Sequence, residues 1–138
     1  MANQTSKHTV MVVEDEVLLL QAISKKLEIE GICVVSCTNG AQAIDYLSSL
    51  PNLPDAIWLD YYLKDMNGLD FMHQLKNNSL WQHIPVVVVS NSAGEEKVHS
   101  MLALGAKKYL LKAEYKLTDI IKVIVELIQS PENASPKK

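Results

Sequence analysis

The feature that most constrains the fold of this chain is a run of four valines, Val86–Val89, directly after Pro85. A short β-branched run between turn residues indicates a strand, and its lack of polar alternation indicates burial on both faces. Strands covered on both faces occur almost only in parallel sheets that carry helices on either side. The remaining sequence must therefore supply further strands and the helices that cover them.

Short apolar runs and helical patterns alternate along the chain. Besides the valine run, we predict strands over His8–Val13, Ile32–Ser36, Ala56–Asp60 and Lys108–Leu111. The predicted helices cover Val17–Glu30, Ala41–Leu50, Gly68–Lys76, a segment ending near Leu104, and Leu117–Gln129. This alternation favours parallel pairing with right-handed crossovers. The predicted fold class is therefore α/β, a doubly wound five-stranded parallel sheet with strand order 2-1-3-4-5.

Local signals mark several helix ends. Gly31 and Gly105 follow the first and fourth predicted helices, where a left-handed C-cap is expected. Capping boxes are predicted to open the second and fourth helices, formed by Asn39 with Gln42 and by Ser92 with Glu95.

Length and charge bound the class of protein. The 138 residues suit one domain, predicted over residues 8–130, with a flexible tail at 1–7 and a disordered tail at 131–138. The net charge of −3 gives no indication of the excess positive charge that binds nucleic acid or an acidic membrane. The polar start lacks the core of a signal peptide, and no apolar run approaches the roughly 18 residues of a membrane span. We therefore expect a cytoplasmic protein.

Polar residues stand where four of the predicted strands end. They are Glu14 and Asp15 after the first strand, Asp60 at the third, Ser90 at the fourth and Lys112 at the fifth. Helix capping explains Ser92 and Glu95 but not this set. Because open α/β sheets bind ligands at the carboxyl ends of their strands, these side chains are predicted to share one crevice.

Three carboxylates in one crevice would repel each other, and a hard divalent cation resolves that repulsion. Mg²⁺ fits best because it takes a few carboxylate oxygens and keeps several waters. A carboxylate such as Asp60 beside this ion can act as a nucleophile toward phosphorus. Lys112 and the Ser90 hydroxyl could then contact the phosphoryl oxygens.

At these residues the sequence resembles the receiver domains of two-component response regulators. The resemblance runs from about His8 to Gln129. It rests on four motifs in order: Val13-Glu14-Asp15-Glu16, Leu59-Asp60 with Met66-Asn67-Gly68, Val89-Ser90, and Gly105-Ala106-Lys107-Lys108-Tyr109-Leu110-Leu111-Lys112. Each motif alone is weak, whereas all four in this order are specific.

The resemblance implies a flavodoxin-like (βα)5 fold and a role in phosphorelay signal transduction. Asp60 would accept a phosphoryl group from a histidine kinase or a phosphotransfer protein. Mg²⁺ would be bound by Asp15, Asp60 and the backbone carbonyl of Tyr62, with Glu14 acting through water. Such a domain is not an enzyme toward other substrates, since it catalyses only its own phosphorylation and slow autodephosphorylation.

The resemblance also implies how the signal leaves the domain. Ser90 would move toward the phosphoryl group, Tyr109 would swing inward behind it, and Lys112 would pair with the phosphoryl group. We expect a single-domain regulator whose output passes through a partner protein. The wide apolar band of the last helix, together with the fourth helix and fifth strand, would form the surface for that partner or for a phosphorylation-dependent homodimer.

Three positions depart from the family pattern. Lys64 and Ala113 replace prolines, and Asn91 stands where alanine or glycine is usual. We expect a trans Lys112–Ala113 bond, because a cis bond before a residue other than proline costs about 2.5–4 kcal/mol. Tyr62 and Asn91 flank the route of an attacking water, so slow autodephosphorylation is predicted.

Two other functions fit parts of the pattern. A dehalogenase-like phosphatase also forms an aspartyl phosphate, but it needs a second carboxylate two residues after the nucleophile, where this chain has Tyr62. A receiver that has lost its chemistry would be a pure interaction module. The presence of Glu14, Asp15, Asp60, Ser90 and Lys112 argues against that alternative.

Overall fold

Five strands and five helices alternate in the computed structural model, which describes residues 7–92 and 94–129. The strands are β1 (Thr9–Val13), β2 (Cys33–Cys37), β3 (Ala56–Asp60), β4 (Val86–Ser90) and β5 (Lys108–Leu111). The helices are α1 (Val17–Ile29), α2 (Gly40–Ser49), α3 (Gly68–Lys76), α4 (Glu95–Ala103) and α5 (Leu117–Gln129). Apart from residue 7, the two predicted tails lie outside the described residues, as does residue 130.

The strands form one parallel sheet in the order β2-β1-β3-β4-β5, which confirms the predicted topology. Several predicted ends differ from the observed ones by one residue. His8, for example, precedes β1 rather than opening it, as Pro85 precedes β4. Their carbonyl groups nevertheless accept N–H groups from the neighbouring strands, those of Cys33 and Ile57 respectively.

Helices cover both faces of the sheet, as the valine run requires. Every residue of β3 and β4 is buried. On one face Ile57 and Val88 pack with residues of α2, α3 and α4. On the other face Trp58, Val87 and Val89 pack with residues of α1 and α5. None of the described helices is both long and apolar enough to cross a membrane.

Most of the predicted helix ends are confirmed. Gly31 and Gly105 adopt φ values of +83° and +111°, the left-handed region that glycine enters without steric cost. At α2, the Asn39 side chain accepts the Gln42 N–H at 2.8 Å. The predicted capping box at α2 is only half formed, because the Gln42 side chain accepts the N–H of Thr38, at 2.7 Å, rather than that of Asn39.

The predicted capping box of α4 is wrong. The N-cap of this helix is Gly94, with no side-chain cap bond. Both backbone groups of Ser92 are engaged elsewhere: its N–H donates to the Ser90 hydroxyl oxygen, and its carbonyl accepts the Tyr109 hydroxyl. Tertiary contacts therefore keep Ser92 in the loop, and the helix begins at Glu95.

Candidate functional site

The pairing of β1 with β3 places two acidic residues side by side. Val13 is paired with Leu59, so the next residues along the two chains, Glu14 and Asp60, stand level at the carboxyl end of the sheet. The Glu14 N–H also donates to the carbonyl of Cys37 in β2, at 2.9 Å. The parallel register thus brings the two carboxylates together despite their mutual repulsion.

The pairing of β4 with β5 adds a cation to this site. Ser90 is paired with Leu111, and the backbone N–H of the next residue, Lys112, donates to the Ser90 carbonyl at 2.8 Å. The Lys112 Nζ lies 3.1 Å from Glu14 Oε1 and 3.5 Å from Asp60 Oδ2. The predicted convergence is therefore observed for the side chains of Glu14, Asp60 and Lys112, whereas the Ser90 side chain lies outside the cleft they share.

Three carboxylates share this site. One oxygen each of Glu14, Asp15 and Asp60 lies within 4.8 Å of the other two. Glu14 is 1% exposed and Asp60 5%, whereas Asp15 is half-buried. Two of these three charges are thus removed from water, and Lys112 alone cannot neutralise all three.

Burial and repulsion raise the pKa of both buried carboxyl groups. The pKa of Glu14 is raised to about 7, first by burial and then by the charge of Asp60. Burial likewise raises the pKa of Asp60, against the opposing charge of Lys112 and the hydrogen bond from the Tyr62 N–H. Burial alone would lower the pKa of Lys112, but the charges of Asp60 and Glu14 outweigh it and raise that pKa. Such perturbed groups in one cleft are typical of functional sites.

The donor set fits a small, hard divalent cation. Carboxylate oxygens are the ligands that Mg²⁺ prefers, and three of them from Glu14, Asp15 and Asp60 are close enough to face one ion. Positive charge there would also relieve the repulsion within the cluster. The Tyr62 N–H donates to Asp60 Oδ1 at 3.3 Å. The predicted ligation by the Tyr62 carbonyl stays a prediction.

A cleft of about 390 Å³ opens over these groups. It is lined by Glu14, Asp15, Glu16, Asp60, Tyr62, Lys64, Asn91 and Lys112. Two of the departures from the family pattern, Lys64 and Asn91, therefore border the cleft. Ser90 is not among the lining residues: it is fully buried, and its hydroxyl oxygen accepts the Ser92 N–H at 3.3 Å.

Tyr109 connects β5 to the loop after β4. Its side chain is half-buried, and its hydroxyl donates to the Ser92 carbonyl at 2.8 Å. Ser92 thus contacts both of the predicted switch residues, Ser90 and Tyr109. The movement of those two residues on phosphorylation stays a prediction. The described residues contain no cis peptide bond, so the trans Lys112–Ala113 bond is confirmed.

Sequence reasoning missed Lys97, which lies in α4. Its Nζ donates to the Tyr62 hydroxyl and stands 4.6 Å from the centroid of the Tyr62 ring. The two residues are 35 positions apart, so no short-range sequence pattern predicts their contact.

Asp65, in the loop after β3, was also missed. Its carboxylate accepts the N–H groups of Gly40 and Ala41 at 2.9 and 2.8 Å, at the start of α2. Although burial opposes it, these bonds hold the pKa of Asp65 below its ordinary value. Met66 packs so closely on Gly40 that an added Cβ would come within 2.5 Å of its sulfur. The loop after β3 is therefore fastened to α2, although Lys64 replaces the family's usual proline.

Comparison with known families agrees with this architecture. Residues 10–125 match the family model of the response regulator receiver domain. The two-component response regulator ORR12 of Oryza sativa subsp. japonica is 30% identical over 115 residues, covering 83% of this chain and 93% of that protein. The regulator ARR7 of Arabidopsis thaliana is 30% identical over 132 residues, covering 89% of this chain and 63% of that longer protein.

Solved structures show the same fold. A CheY-like response regulator receiver domain protein of Methanospirillum hungatei has a TM-score of 0.84 at 21% identity, covering 94% of this chain and all of that one. The phosphorylated cyanobacterial phytochrome response regulator RcpA has a TM-score of 0.80 at 27% identity, covering 91% and 96%. This chain belongs to the response regulator receiver domain family, whose members take up a phosphoryl group on an aspartate and thereby switch the binding of partner proteins.

Proposed function

We propose that Asp60 is the phosphoryl acceptor of this protein and that a histidine kinase or a phosphotransfer protein is the donor. The observation that carries the assignment is the Lys112 ammonium, 3.5 Å from Asp60 Oδ2 within an otherwise acidic cluster. Asp60 is thereby placed next to a cation that can balance the charge of an incoming phosphoryl group.

The transfer needs few chemical groups. A carboxylate oxygen of Asp60 forms a bond to phosphorus while the phosphorus–nitrogen bond of the donor phosphohistidine breaks, and the imidazole nitrogen keeps the electron pair. Lys112 pairs with the phosphoryl oxygens, which requires its ammonium to exchange part of its contact with Glu14. The Ser90 hydroxyl donates to another phosphoryl oxygen.

We assign metal binding to the same cluster. Asp15, Asp60 and the Tyr62 carbonyl would hold Mg²⁺, and Glu14 would act through a water. When bound, the ion supplies positive charge that offsets the charge of the phosphoryl oxygens. The proximity of the three carboxylates, within 4.8 Å, supports the assignment.

We assign output to movements of Ser90 and Tyr109 that change the surface formed by α4, β5 and α5. Leu102 of α4 is 44% exposed, and Val123 of α5 is half-buried at the edge of the core. This surface would bind a downstream protein or a second phosphorylated copy. Light scattering of the purified protein, with and without a phosphoryl mimic, distinguishes the two. Only homodimer formation increases the measured mass when no other protein is present.

The phosphorylated state should be long-lived. The side chains of Tyr62 and Asn91 line the same cleft as Asp60. They would hinder the water that attacks phosphorus, so hydrolysis is the slow self-catalysed reaction of a switch rather than the turnover of a phosphatase. Replacing each by alanine should speed the loss of phosphate, and unchanged half-lives in both variants would contradict the shielding.

Intact-mass measurement tests the acceptor. Incubation with acetyl phosphate and Mg²⁺ should add one phosphoryl group, and chelation of the metal should prevent the addition. Asp60→Asn should abolish it. Asp45→Asn is the matched control, because Asp45 is exposed on α2 and lies outside the acidic cluster. Addition that persists in Asp60→Asn would refute the assignment.

A further inference from the structure

Lys97 makes contacts that the proposed function leaves unexplained. Besides the hydrogen bond to the Tyr62 hydroxyl, its Nζ stands over the rings of Tyr62 and Tyr61, 4.6 and 5.2 Å from their centroids. Among the described residues it forms no ion pair, although Glu95 and Glu96 precede it in the same helix. The ammonium is thus directed to aromatic faces rather than to carboxylates, a contact that favours one placement of the rings.

Tyr62 carries this contact to the acceptor site. Its backbone N–H donates to Asp60 Oδ1, and its side chain lines the acidic cleft. That side chain is 49% exposed, so core packing does not hold it. Its ring instead meets the Tyr61 ring edge-on at 4.8 Å and the Lys97 ammonium. Lys97 is not among the residues that line the cleft, whereas Tyr62, which it contacts, is one of them.

We propose that Lys97 is a positioning residue that holds the Tyr62 ring at the edge of the cleft and thereby slows hydrolysis of the Asp60 phosphate. The inference rests on the proposed function of Asp60. In hydrolysis the oxygen of a water bonds to phosphorus as the bond from phosphorus to the Asp60 oxygen breaks. The carboxylate keeps the electron pair, a proton of the water goes to solvent, and inorganic phosphate leaves. A tethered ring restricts the approach of that water, and an untethered ring admits it more often.

The test is the rate of phosphate loss after removal of excess acetyl phosphate. Lys97→Met keeps the apolar stem and removes the cation, so it should lose phosphate about two- to fivefold faster, the range set by one exposed cation–π contact. Lys97→Arg restores a cation that can lie over both rings and should stay within about twofold of the parent rate. Lys122→Met is the matched control, because it removes an exposed lysine from α5 and should leave the rate unchanged.

A second background separates positioning from a direct charge effect. In Tyr62→Ala there is no ring to hold, so adding Lys97→Met should not change the rate further. The proposal is overturned if Lys97→Met decays at the rate of Lys122→Met, or if it accelerates decay equally in the Tyr62→Ala background. Thermal unfolding of each variant verifies that it is folded.

Failure of the proposed function would be recognised separately. If the parent protein takes up no phosphoryl group, the acceptor assignment fails, and Lys97 is then judged by nuclear Overhauser contacts between its ε-methylene and the Tyr62 ring. Loss of ring order in Lys97→Met, but not in Lys97→Arg, would support the positioning role. Absence of those contacts in the parent protein would overturn it.

Discussion

The floor and the rim of the acidic cleft are built by different means. We define the floor as Glu14, Asp60 and Lys112, and the rim as Tyr62, Lys64 and Asn91. Glu14 and Asp60 are buried, whereas Tyr62, Lys64 and Asn91 are all exposed. The floor residues directly follow or end paired strands, and the rim residues lie in the loops beyond them.

The floor thus holds the groups assigned to phosphoryl transfer, and the rim holds the groups assigned to the rate of hydrolysis. The sheet register fixes the backbone positions from which the side chains of Asp60 and Lys112 extend. A rim side chain such as Tyr62 is placed by contacts with other side chains, notably that of Lys97. Substitutions in the floor should therefore remove function or stability outright, and substitutions around the rim should tune rates or cost little.

The largest effect is expected from Lys112→Met, which removes the cation of the floor. Glu14 and Asp60 would remain buried without it, so the free energy of unfolding should fall by about 3–5 kcal/mol near neutral pH without metal. Phosphoryl uptake should fall by about 100-fold or more, as when one charge-stabilising group is lost from an active site. Urea denaturation and the initial rate of mass increase measure these changes. A result equal to that of Lys122→Met would contradict this view of the floor.

The pH dependence of stability tests the floor without phosphoryl chemistry. The pKa of Glu14 is about 7 in the folded protein against 4.5 ordinarily, so the folded state binds the proton more tightly. Stability from this group is fully present below its ordinary pKa and is lost as the pH rises through about 7. The loss should be on the order of 3 kcal/mol across that window.

Urea midpoints of the chelator-treated protein across that window measure this loss. Glu14→Gln should abolish most of the slope, because an amide cannot titrate. A variant that keeps the full slope would show that another group carries it.

Asp65→Ala tests the support beneath the rim. It removes the carboxylate that accepts the Gly40 and Ala41 N–H groups at the start of α2. Loss of this cap should lower the free energy of unfolding by about 1 kcal/mol. Asp45→Ala, also exposed and within α2, is the control. Equal denaturation midpoints for the two variants would show that the hydrogen bonds accepted by Asp65 do not contribute to stability.

The smallest effect is expected at Ser92, in the loop after β4. Its backbone groups hold that loop but its side chain caps no helix, so Ser92→Ala should change the free energy of unfolding by less than about 0.5 kcal/mol. Asn67→Ala removes an observed capping box from α3 and should cost about 1 kcal/mol. Comparing the two denaturation midpoints checks which helix start depends on a side chain. A larger loss of stability for Ser92→Ala than for Asn67→Ala would show that the Ser92 side chain does cap α4.

The floor could be predicted from the sequence because it depends on the backbone. The apolar runs reveal the strands, and alternation with helices makes the strands parallel. Once they are parallel, their carboxyl ends share one edge whatever the connecting loops do. Glu14, Asp60 and Lys112 therefore meet as predicted, although the buried Ser90 does not line the cleft, and the predicted strand order is correct as well.

The rim was decided by the tertiary structure. Ser92 and Glu95 have the spacing of a capping box, but the hydroxyls of Ser90 and Tyr109 occupy the backbone groups of Ser92. The contact of Lys97 with Tyr62 joins residues 35 positions apart, across two loops. Periodicity records which face of an element is apolar, but it carries no information on where an exposed side chain finds its partner. That choice depends on how the loops and α4 lie over the finished sheet, and only the folded chain determines it.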